Sequence, residues 1–287
     1  MKKILKPIKI PDSYNYIGVF LTFACNLKCS YCINNFEGNL KKRKMISGKD
    51  WVELLNRIQS RADLPVSLQG GEPSLHPDFI YIINHLKPGL TIDILTNLQF
   101  DADDFAKKVN PNRVKRQAPY ASIRVSYHPE TMDFNKTASK VLALQDKGFS
   151  IGVWSVLHPK YKKQILSSQE KAKKMGIDFR LKDFLGEYRG KMHGQYKYPG
   201  CFDLNNPKDV LCKSTEFLID PKADIFRCHH DVYQDFKPIG SLYDGGFVLE
   251  DKYRKCGMFG FCNPCDVKIK TNRFQEFGHT SVDIKFG

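Results

Sequence analysis

Three cysteines near the N-terminus are spaced so that their thiolates could bind metal together. Cys25, Cys29 and Cys32 form a CxxxCxxC pattern directly after an apolar run at 17–23 that predicts a strand. Three thiolates on one short loop can bind three irons of a [4Fe–4S] cluster, which normally takes four cysteine ligands. This spacing therefore leaves one iron open to a small molecule and predicts a reactive centre rather than a structural one.

A glycine-rich segment follows a second short apolar run at 65–68, and glycines let the backbone approach a ligand closely. Its residues are Gln69, Gly70, Gly71, Glu72 and Pro73. The two motifs in this order resemble those of the radical S-adenosylmethionine (SAM) enzymes. The resemblance implies that the three cysteines hold the cluster, that SAM chelates the open iron, and that the GGEP segment binds the SAM amino group. Tyr31 matches the aromatic residue that usually precedes the last cysteine. A zinc knuckle or a redox loop is the alternative.

Composition narrows the class of protein further. The chain has 287 residues, 41% of them hydrophobic, and nine cysteines. It contains no run of about 18 apolar residues, so no transmembrane helix is predicted, and the N-terminus does not resemble a signal peptide. We therefore expect a cytoplasmic protein, in which so many cysteines indicate metal binding or catalysis rather than disulfides.

The net charge of +14 predicts a surface that attracts anions. The densest basic run is Lys41-Lys42-Arg43-Lys44, just after the cysteine loop. The resemblance implies that a donor must reduce the cluster, and an acidic flavodoxin- or ferredoxin-type donor would suit this charge. A solvated lysine-rich surface is the alternative. A nucleic-acid partner is not expected, because the sequence contains no recognised RNA- or DNA-binding module.

Six apolar runs of strand length alternate with amphipathic segments as far as residue 186. The strands are predicted at 17–23, 65–69, 90–96, 121–127, 150–157 and 177–182, and the helices at 48–61, 77–87, 101–109, 134–147 and 160–175. Such alternation predicts an α/β fold with a parallel sheet, and the resemblance implies a partial (βα)6 TIM-like barrel over residues 1–190. Chemistry in such barrels lies at the C-terminal ends of the strands, where both motifs fall.

The remaining six cysteines lie in residues 191–287, which predicts a second domain. Cys212 and Cys228 precede a CxxC pair, Cys262 and Cys265, and 218–228 predicts a β-hairpin. This resembles the Twitch module, the shorter relative of SPASM, which implies a small cysteine-rich α+β domain with an auxiliary [4Fe–4S] cluster on those four cysteines. Ala223 stands where the module has glycine. A zinc site on the cysteines, or on His229 or His230, is the alternative.

Two cysteines, Cys201 and Cys256, are left over by this assignment. Cys256 is the better candidate to replace an assigned ligand, because it lies close in sequence to Cys262. Both could also be buried apolar residues. The resemblance further implies that one could donate a hydrogen atom, as a thiol does in some radical SAM epimerases.

Polar residues near the ends of the predicted strands are candidates for the site. Strand alternation places Arg124 and Ser126 on one face. If that face is inward, the resemblance implies that Ser126 contacts the SAM ribose and Arg124 the SAM carboxylate. His128 and His158 each precede proline and are expected to have structural roles. Glu72 is expected to hold backbone geometry.

The resemblance implies reductive cleavage of SAM and abstraction of a hydrogen atom from a C–H bond. The first hypothesis is dehydrogenation of a small sugar- or alcohol-like substrate, with the auxiliary cluster as electron acceptor. Epimerisation with a cysteine donor and modification of a ribosomal peptide are alternatives. Only about 15 residues precede the first strand, which argues against a leader-binding segment. A zinc- or nucleic-acid-binding protein is the non-enzyme alternative.

Overall fold

The computed structural model describes residues 5–34, 40, 42–270 and 278–287. The strands are β1 (Ile8–Lys9), β2 (Tyr16–Thr22), β3 (Ile58–Gln59), β4 (Val66–Gly70), β5 (Ile92–Thr96), β6 (Ile123–Ser126), β7 (Ile151–Leu157), β8 (Phe179–Asp183), β9 (Gly186–Tyr188), β10 (Lys191–His193), β11 (Lys208–Ser214), β12 (Glu216–Ile219), β13 (Asp224–Phe226), β14 (Gly240–Ser241), β15 (Arg254–Phe259) and β16 (Val282–Lys285). The α-helices are α1 (Gly48–Leu55), α2 (Phe79–His85), α3 (Ala102–Lys108), α4 (Phe134–Asp146), α5 (Lys162–Lys174), α6 (His229–Tyr233) and α7 (Pro264–Val267).

The main sheet has nine strands in the order β14-β13-β12-β2-β4-β5-β6-β7-β8. Strands β2, β4, β5, β6, β7 and β8 are parallel and alternate with helices, which confirms the six predicted strands and the α/β class. The C-terminal ends of these strands therefore lie at one edge of the sheet, so the loops that follow β2 and β4 meet there.

The two faces of the sheet have different side chains because strand residues alternate. Ile17 and Val19 of β2 belong to the main core together with Trp51 of α1, so this face packs against the helices. Tyr16 and Phe20 of the same strand belong to a second cluster on the opposite face. The interior of the partial barrel is therefore lined by the aromatic and polar residues that alternate with these core residues along the strands.

Helix α1 is shorter than predicted. Ser47 caps it as expected, since its side chain accepts a hydrogen bond from the Asp50 amide. The predicted end at 61 is wrong: the helix ends at Leu55, and Ile58 instead pairs with Ile8 in the two-stranded β1–β3 sheet. The pairing of a distant segment overrides the local helical pattern here.

Replacement of Ser47 by alanine is expected to lower the free energy of unfolding by about 1 kcal/mol, because the first turn of α1 loses its cap. Ser139→Ala on the exposed face of α4, where the hydroxyl bonds only to the Asn135 carbonyl one turn back, is the matched control. Urea unfolding of both variants measures the difference. Equal destabilisation by the two substitutions would contradict the capping role.

Residues beyond the barrel contribute to the same sheet. Strands β12 and β13 form the hairpin predicted at 218–228, with a turn at Asp220 to Asp224, and β12 pairs in parallel with β2. Strands β15, β11 and β16 form a separate antiparallel sheet. The division at residue 190 stays a prediction, and the main sheet includes strands from both sides of it. None of the helices among the described residues has the length and apolarity to cross a bilayer.

Candidate functional site

The loop with the first three cysteines follows the C-terminal end of β2. The side chains of Cys25 and Cys32 are exposed and that of Cys29 is half-buried. The Cys32 amide donates to the Cys29 carbonyl oxygen (3.2 Å), which closes a tight turn. Burial, with smaller contributions from the nearby Cys32 and Cys25 thiols, raises the pKa of the Cys29 thiol to about 11. The three sulfurs therefore share one short loop, as three ligands of a cluster must.

The two glycines after β4 let this strand end pack directly on the cysteine loop. The Gly71 amide donates to the Thr22 carbonyl (2.9 Å), and the Glu72 amide donates to the Ala24 carbonyl (2.8 Å). A Cβ on Gly70 would overlap the Thr22 carbonyl oxygen, and one on Gly71 would overlap that of Ala24. Glycine is therefore required by the close approach of two backbone segments. A contact of this segment with SAM stays a prediction.

The Glu72 carboxylate is buried and joins the ends of β4 and β5. It accepts hydrogen bonds from the Thr96 hydroxyl (2.7 Å), the Asn97 amide (2.6 Å) and both the amide and hydroxyl of Ser74 (3.1 and 2.7 Å). Burial raises the pKa of Glu72, although these hydrogen bonds act to lower it. The Asn97 side chain in turn donates to the Asn26 side chain in the cysteine loop (2.7 Å). Glu72 thus fixes backbone geometry around the loop.

The opposite side of the cysteine loop is held by residues that follow β6. The Ser30 amide donates to the Glu130 carboxylate (2.8 Å), and the Cys29 sulfur lies 3.7 Å from the Thr131 hydroxyl. Sequence reasoning did not select Glu130 or Thr131. The available signal was their position just past a parallel strand, at the edge where the cysteine loop also lies.

Tyr31 points into a group of aromatic rings. Its hydroxyl lies 3.4 Å from His128 Nδ1, and its ring centroid lies 4.8 Å from that of His158. Burial and the nearby Lys182 lower the pKa of His128 to about 4. The Nδ1 of His158 accepts from the Lys160 amide, and its pKa is also lowered by burial. Both histidines are therefore neutral near pH 7 and pack against the residue next to Cys32.

Arg124 faces the barrel interior, a direction that the sequence left open, and it contacts Asp93 and Ser67 there. Its guanidinium donates to the Asp93 carboxylate (3.1 Å) and approaches the Ser67 hydroxyl (3.4 Å). Ser67 lies three residues before the end of β4, about 10 Å from the cysteine edge at 3.3 Å per residue. This pairing gives no support to a SAM-carboxylate role, which stays a prediction. Ser126 is half-buried at the C-terminal end of β6, so it lies closer to that edge.

The basic run after the cysteine loop is only partly a charged surface. Lys41 lies outside the described residues, and Lys42 and Lys44 are exposed. Arg43 instead forms ion pairs with Asp220 (2.5 Å) and Asp235, and its side chain is only 7% exposed. Arg43 therefore anchors this segment to the β12–β13 turn rather than offering charge to a partner.

A second group of cysteines lines a cavity beside the β11–β15 sheet. The cavity measures about 580 Å³ including its open mouth, and the cysteines that line it are Cys212, Cys228, Cys256 and Cys262. Cys256, the predicted substitute ligand, is therefore present, whereas Cys265 is not among the lining residues. Cys201 is 2% exposed within the adjacent apolar cluster, a packing position; a role for it as hydrogen donor stays a prediction.

Four cysteine thiols line this cavity, and four cysteine thiolates are the usual ligands of a [4Fe–4S] cluster. Across the described ranges, no three His, Cys, Asp or Glu side chains are close enough to bind one metal ion together. The ligands of a [4Fe–4S] cluster bind separate irons and stand further apart. His229, named in the zinc alternative, has its Nδ1 2.8 Å from the Asp266 carboxylate.

Ala223 adopts the conformation for which the Twitch pattern uses glycine. Its φ is +67°, in the left-handed region, and the residue is fully buried in the β12–β13 turn. The Asp220 side chain accepts from the Lys222 and Asp224 amides (both 2.9 Å) and stabilises this turn. The departure from glycine therefore leaves the turn intact.

Hydrogen bonds link the cysteine loop to the C-terminal region. The Asn34 side chain donates to the Gly70 carbonyl (3.3 Å) and accepts from the Tyr233 hydroxyl (2.5 Å). The Tyr233 ring lies 5.7 Å from the ring of His229, which bonds to Asp266 in the cavity wall. Hydrogen bonds and one ring contact, in series, therefore connect the GGEP segment to the wall of the cavity that the second group of cysteines lines.

The structure has a partial parallel barrel, with three cysteines and the GGEP segment at the C-terminal edge of its strands. Comparison with known proteins shows which family of proteins has these features. Residues 19–179, more than half of the chain, match the Radical SAM superfamily. The chain belongs to this superfamily, whose members are enzymes that use a [4Fe–4S] cluster and SAM.

Curated relatives are distant but extend over most of the chain. Mycofactocin maturase MftC of Mycobacterium tuberculosis is 24% identical over 282 residues, covering 79% of this chain and 67% of that protein. GTP 3′,8-cyclase of Nautilia profundicola is 25% identical over 229 residues, covering 75% of this chain and 68% of that one. Their names describe different reactions, so they do not identify the substrate of this chain.

Solved structures share the fold. SuiB of Streptococcus suis aligns with a TM-score of 0.53 at 14% identity, over 80% of this chain and 64% of its own. The enzyme anSMEcpe, crystallised with AdoMet and the Cp18Cys peptide, aligns with a TM-score of 0.54 at 15% identity, over 83% and 78%. This chain thus spans just under two thirds of SuiB. At such identities the likeness supports the partial TIM-barrel fold alone.

Proposed function

We propose that this chain is a radical SAM oxidoreductase that dehydrogenates a small sugar- or alcohol-like substrate. The observation that carries the proposal is the second group of cysteines, which lines a cavity connected to the cysteine loop through the Asn34–Tyr233 hydrogen bond and the contact of the Tyr233 and His229 rings. Dehydrogenation of an alcohol removes one hydrogen atom from carbon, and the resulting carbon radical must then lose one electron while the hydroxyl group loses its proton. A second redox centre in the same chain could accept this electron.

The chain's own residues have distinct roles in this proposal. Cys25, Cys29 and Cys32 hold the first cluster, with Tyr31 and Ser126 beside the bound SAM. Gly70 to Pro73 support the loop and provide backbone groups for the SAM amino group. When bound, the cluster and SAM would supply the radical that removes a hydrogen atom, and an auxiliary cluster would accept the second electron. The protein's task is to position the C–H bond and exclude water.

The position of Cys256 favours dehydrogenation over epimerisation. An epimerase needs a thiol that can reach the substrate radical, whereas Cys256 shares its cavity with three other cysteines. Peptide modification rests on likeness of fold and on the name of a distant relative. We therefore place both alternatives behind dehydrogenation.

An acidic flavodoxin- or ferredoxin-type protein is the proposed electron donor, in a cytoplasmic setting. Lys28 in the cysteine loop and the nearby Lys42 and Lys44 are exposed, and the net charge is +14. Long-range attraction between exposed charges is screened within about 10 Å at 0.1 M salt. The rate of cluster reduction by an acidic flavodoxin is therefore expected to fall as salt rises, whereas reduction by dithionite should show a weaker dependence.

Iron and sulfide per chain, measured after anaerobic reconstitution, test the proposal together with 5′-deoxyadenosine formation. The wild type should hold about eight irons and cleave SAM, and a Cys25/Cys29/Cys32→Ala variant should hold about four and cleave none. A Cys201→Ala variant is the matched control and should match the wild type in iron content. About four irons in the wild type and none in the triple variant would overturn the auxiliary cluster, and with it the dehydrogenase proposal.

A further inference from the structure

Two of the cavity cysteines project from one face of neighbouring strands. Val210 of β11 lies opposite Cys256 of β15, and Cys212 lies opposite Arg254. Since side chains alternate along a strand, Cys212 and Cys256 lie on the same face as a diagonal pair, with Cα atoms about 7–8 Å apart. Sheet pairing therefore fixes both sulfurs on one wall of the cavity.

The other two cavity cysteines come from the segments that face this wall. Cys228 lies at the start of α6, directly after the β12–β13 hairpin, and Cys262 precedes α7. The Cys212 thiol interacts electrostatically with those of Cys256 and Cys262, and the Cys228 thiol interacts with that of Cys212. Four sulfurs from four separate elements thus surround one space.

Basic side chains complete the lining of the cavity. Arg227, Arg254 and Lys255 contribute to its walls. Four thiolates on an iron–sulfur cluster leave a net negative charge, which nearby cations stabilise. The Arg227 guanidinium also bonds to the Asp231 carboxylate (2.7 Å), which holds it in place.

Cys265 lies in α7 and is not among the residues that line the cavity. Charged groups that act on its thiol include Lys268, Asp266, Glu216 and Lys270. Glu216 begins β12, the strand that pairs with β2, and it forms a buried ion pair with Lys270. Tyr233, which bonds to Asn34 of the cysteine loop, also interacts with the Cys265 thiol. These neighbours belong to β12, to α6, to α7 and to the segment after α7, whereas the four cavity cysteines share the cavity lining.

We propose that the auxiliary cluster is held by Cys212, Cys228, Cys256 and Cys262, and that Cys265 is not a ligand. The assignment rests on the proposed function, which requires an auxiliary cluster. It departs from the CxxC ligand pair of the Twitch pattern, because it includes Cys262 and leaves Cys265 outside the ligand set.

The Cys25/Cys29/Cys32→Ala variant isolates the auxiliary site in the full chain. Cys256→Ala or Cys265→Ala is added to it, and iron, sulfide and the electron paramagnetic resonance signal of the reduced protein are measured after reconstitution. Added Cys256→Ala is expected to lower iron from about four to three or fewer and to change the signal, because one iron loses its ligand. Added Cys265→Ala should keep about four irons and the same signal.

Two controls make the result decisive. Cys201→Ala in the same background should keep all the iron, and circular dichroism verifies that each variant is folded. Loss of iron with Cys265→Ala, or full retention with Cys256→Ala, would overturn the ligand assignment. Absence of iron from the triple variant itself would instead overturn the proposed function, so the two failures are distinguishable.

Discussion

Replacement of Gly71 by alanine is expected to reduce SAM cleavage at least about 100-fold. The added Cβ would overlap the Ala24 carbonyl oxygen and lie 2.6 Å from that of Phe23, both in the backbone that leads into Cys25. Neither segment can yield easily, because Gly71 and Glu72 are hydrogen-bonded to the end of β2 and the first residues of the loop. A displacement of about 1 Å in a catalytic arrangement can cost about 100-fold in rate.

Gly89→Ala is the matched control for this substitution. Gly89 is exposed in the turn before β5, and an added Cβ would meet no atom within 4 Å. Its 5′-deoxyadenosine formation under dithionite should equal that of the wild type. Gly71→Ala should keep the iron of the auxiliary site, so a variant that lost all iron would indicate general unfolding. Wild-type SAM cleavage by Gly71→Ala would show that the packing of β4 on the loop is dispensable.

Local patterns were sufficient for the six parallel strands and for the β12–β13 hairpin, but not for the pairing of β12 with β2 in one sheet. The alternation of apolar residues predicted all six parallel strands, and the turn residues from Asp220 to Asp224 predicted the hairpin. Such features depend on neighbours within a few residues. The same local reasoning extended α1 to residue 61, because it could not foresee that Ile58 pairs with Ile8.

Contacts between distant segments could not be predicted from the sequence. Glu130 reaches the Ser30 amide across 100 residues. Its position just past a parallel strand indicates the edge of the sheet but not this partner. The choice between Cys256 and Cys265 as a cluster ligand also depends on a contact between distant segments. The CxxC spacing is local and favours Cys265, whereas the register of β11 against β15 places Cys256 beside Cys212. The sequence placed Arg124 and Ser126 on one face without its direction, and the partner of Arg124, Asp93, depends on the alignment of two strands.

Replacement of Asp93, the partner of Arg124, by alanine is expected to cause a large loss of stability. Asp93 is fully buried, and its carboxylate accepts two hydrogen bonds from Arg116 (2.7 and 2.9 Å) and one from Arg124 (3.1 Å). Asp93→Ala would leave two guanidinium groups, each 5% exposed, without this counter-charge. Breaking a buried pair in this way costs about 3–5 kcal/mol, a large part of the roughly 5–15 kcal/mol that stabilises a domain. The midpoint of urea unfolding should fall accordingly.

Asp63→Ala is the control for Asp93→Ala. It removes an exposed partner of Arg61, whose side chain is 34% exposed, and should lower the free energy of unfolding by no more than about 1 kcal/mol. Equal destabilisation by the two alanine variants would contradict a structural role for the buried pair. Arg124→Lys separates this role from the SAM contact that the sequence suggested. A lysine cannot reproduce the planar guanidinium, so stability should fall while the KM for SAM stays within about twofold of the wild type. A large rise in KM with unchanged stability would instead place Arg124 at the SAM carboxylate.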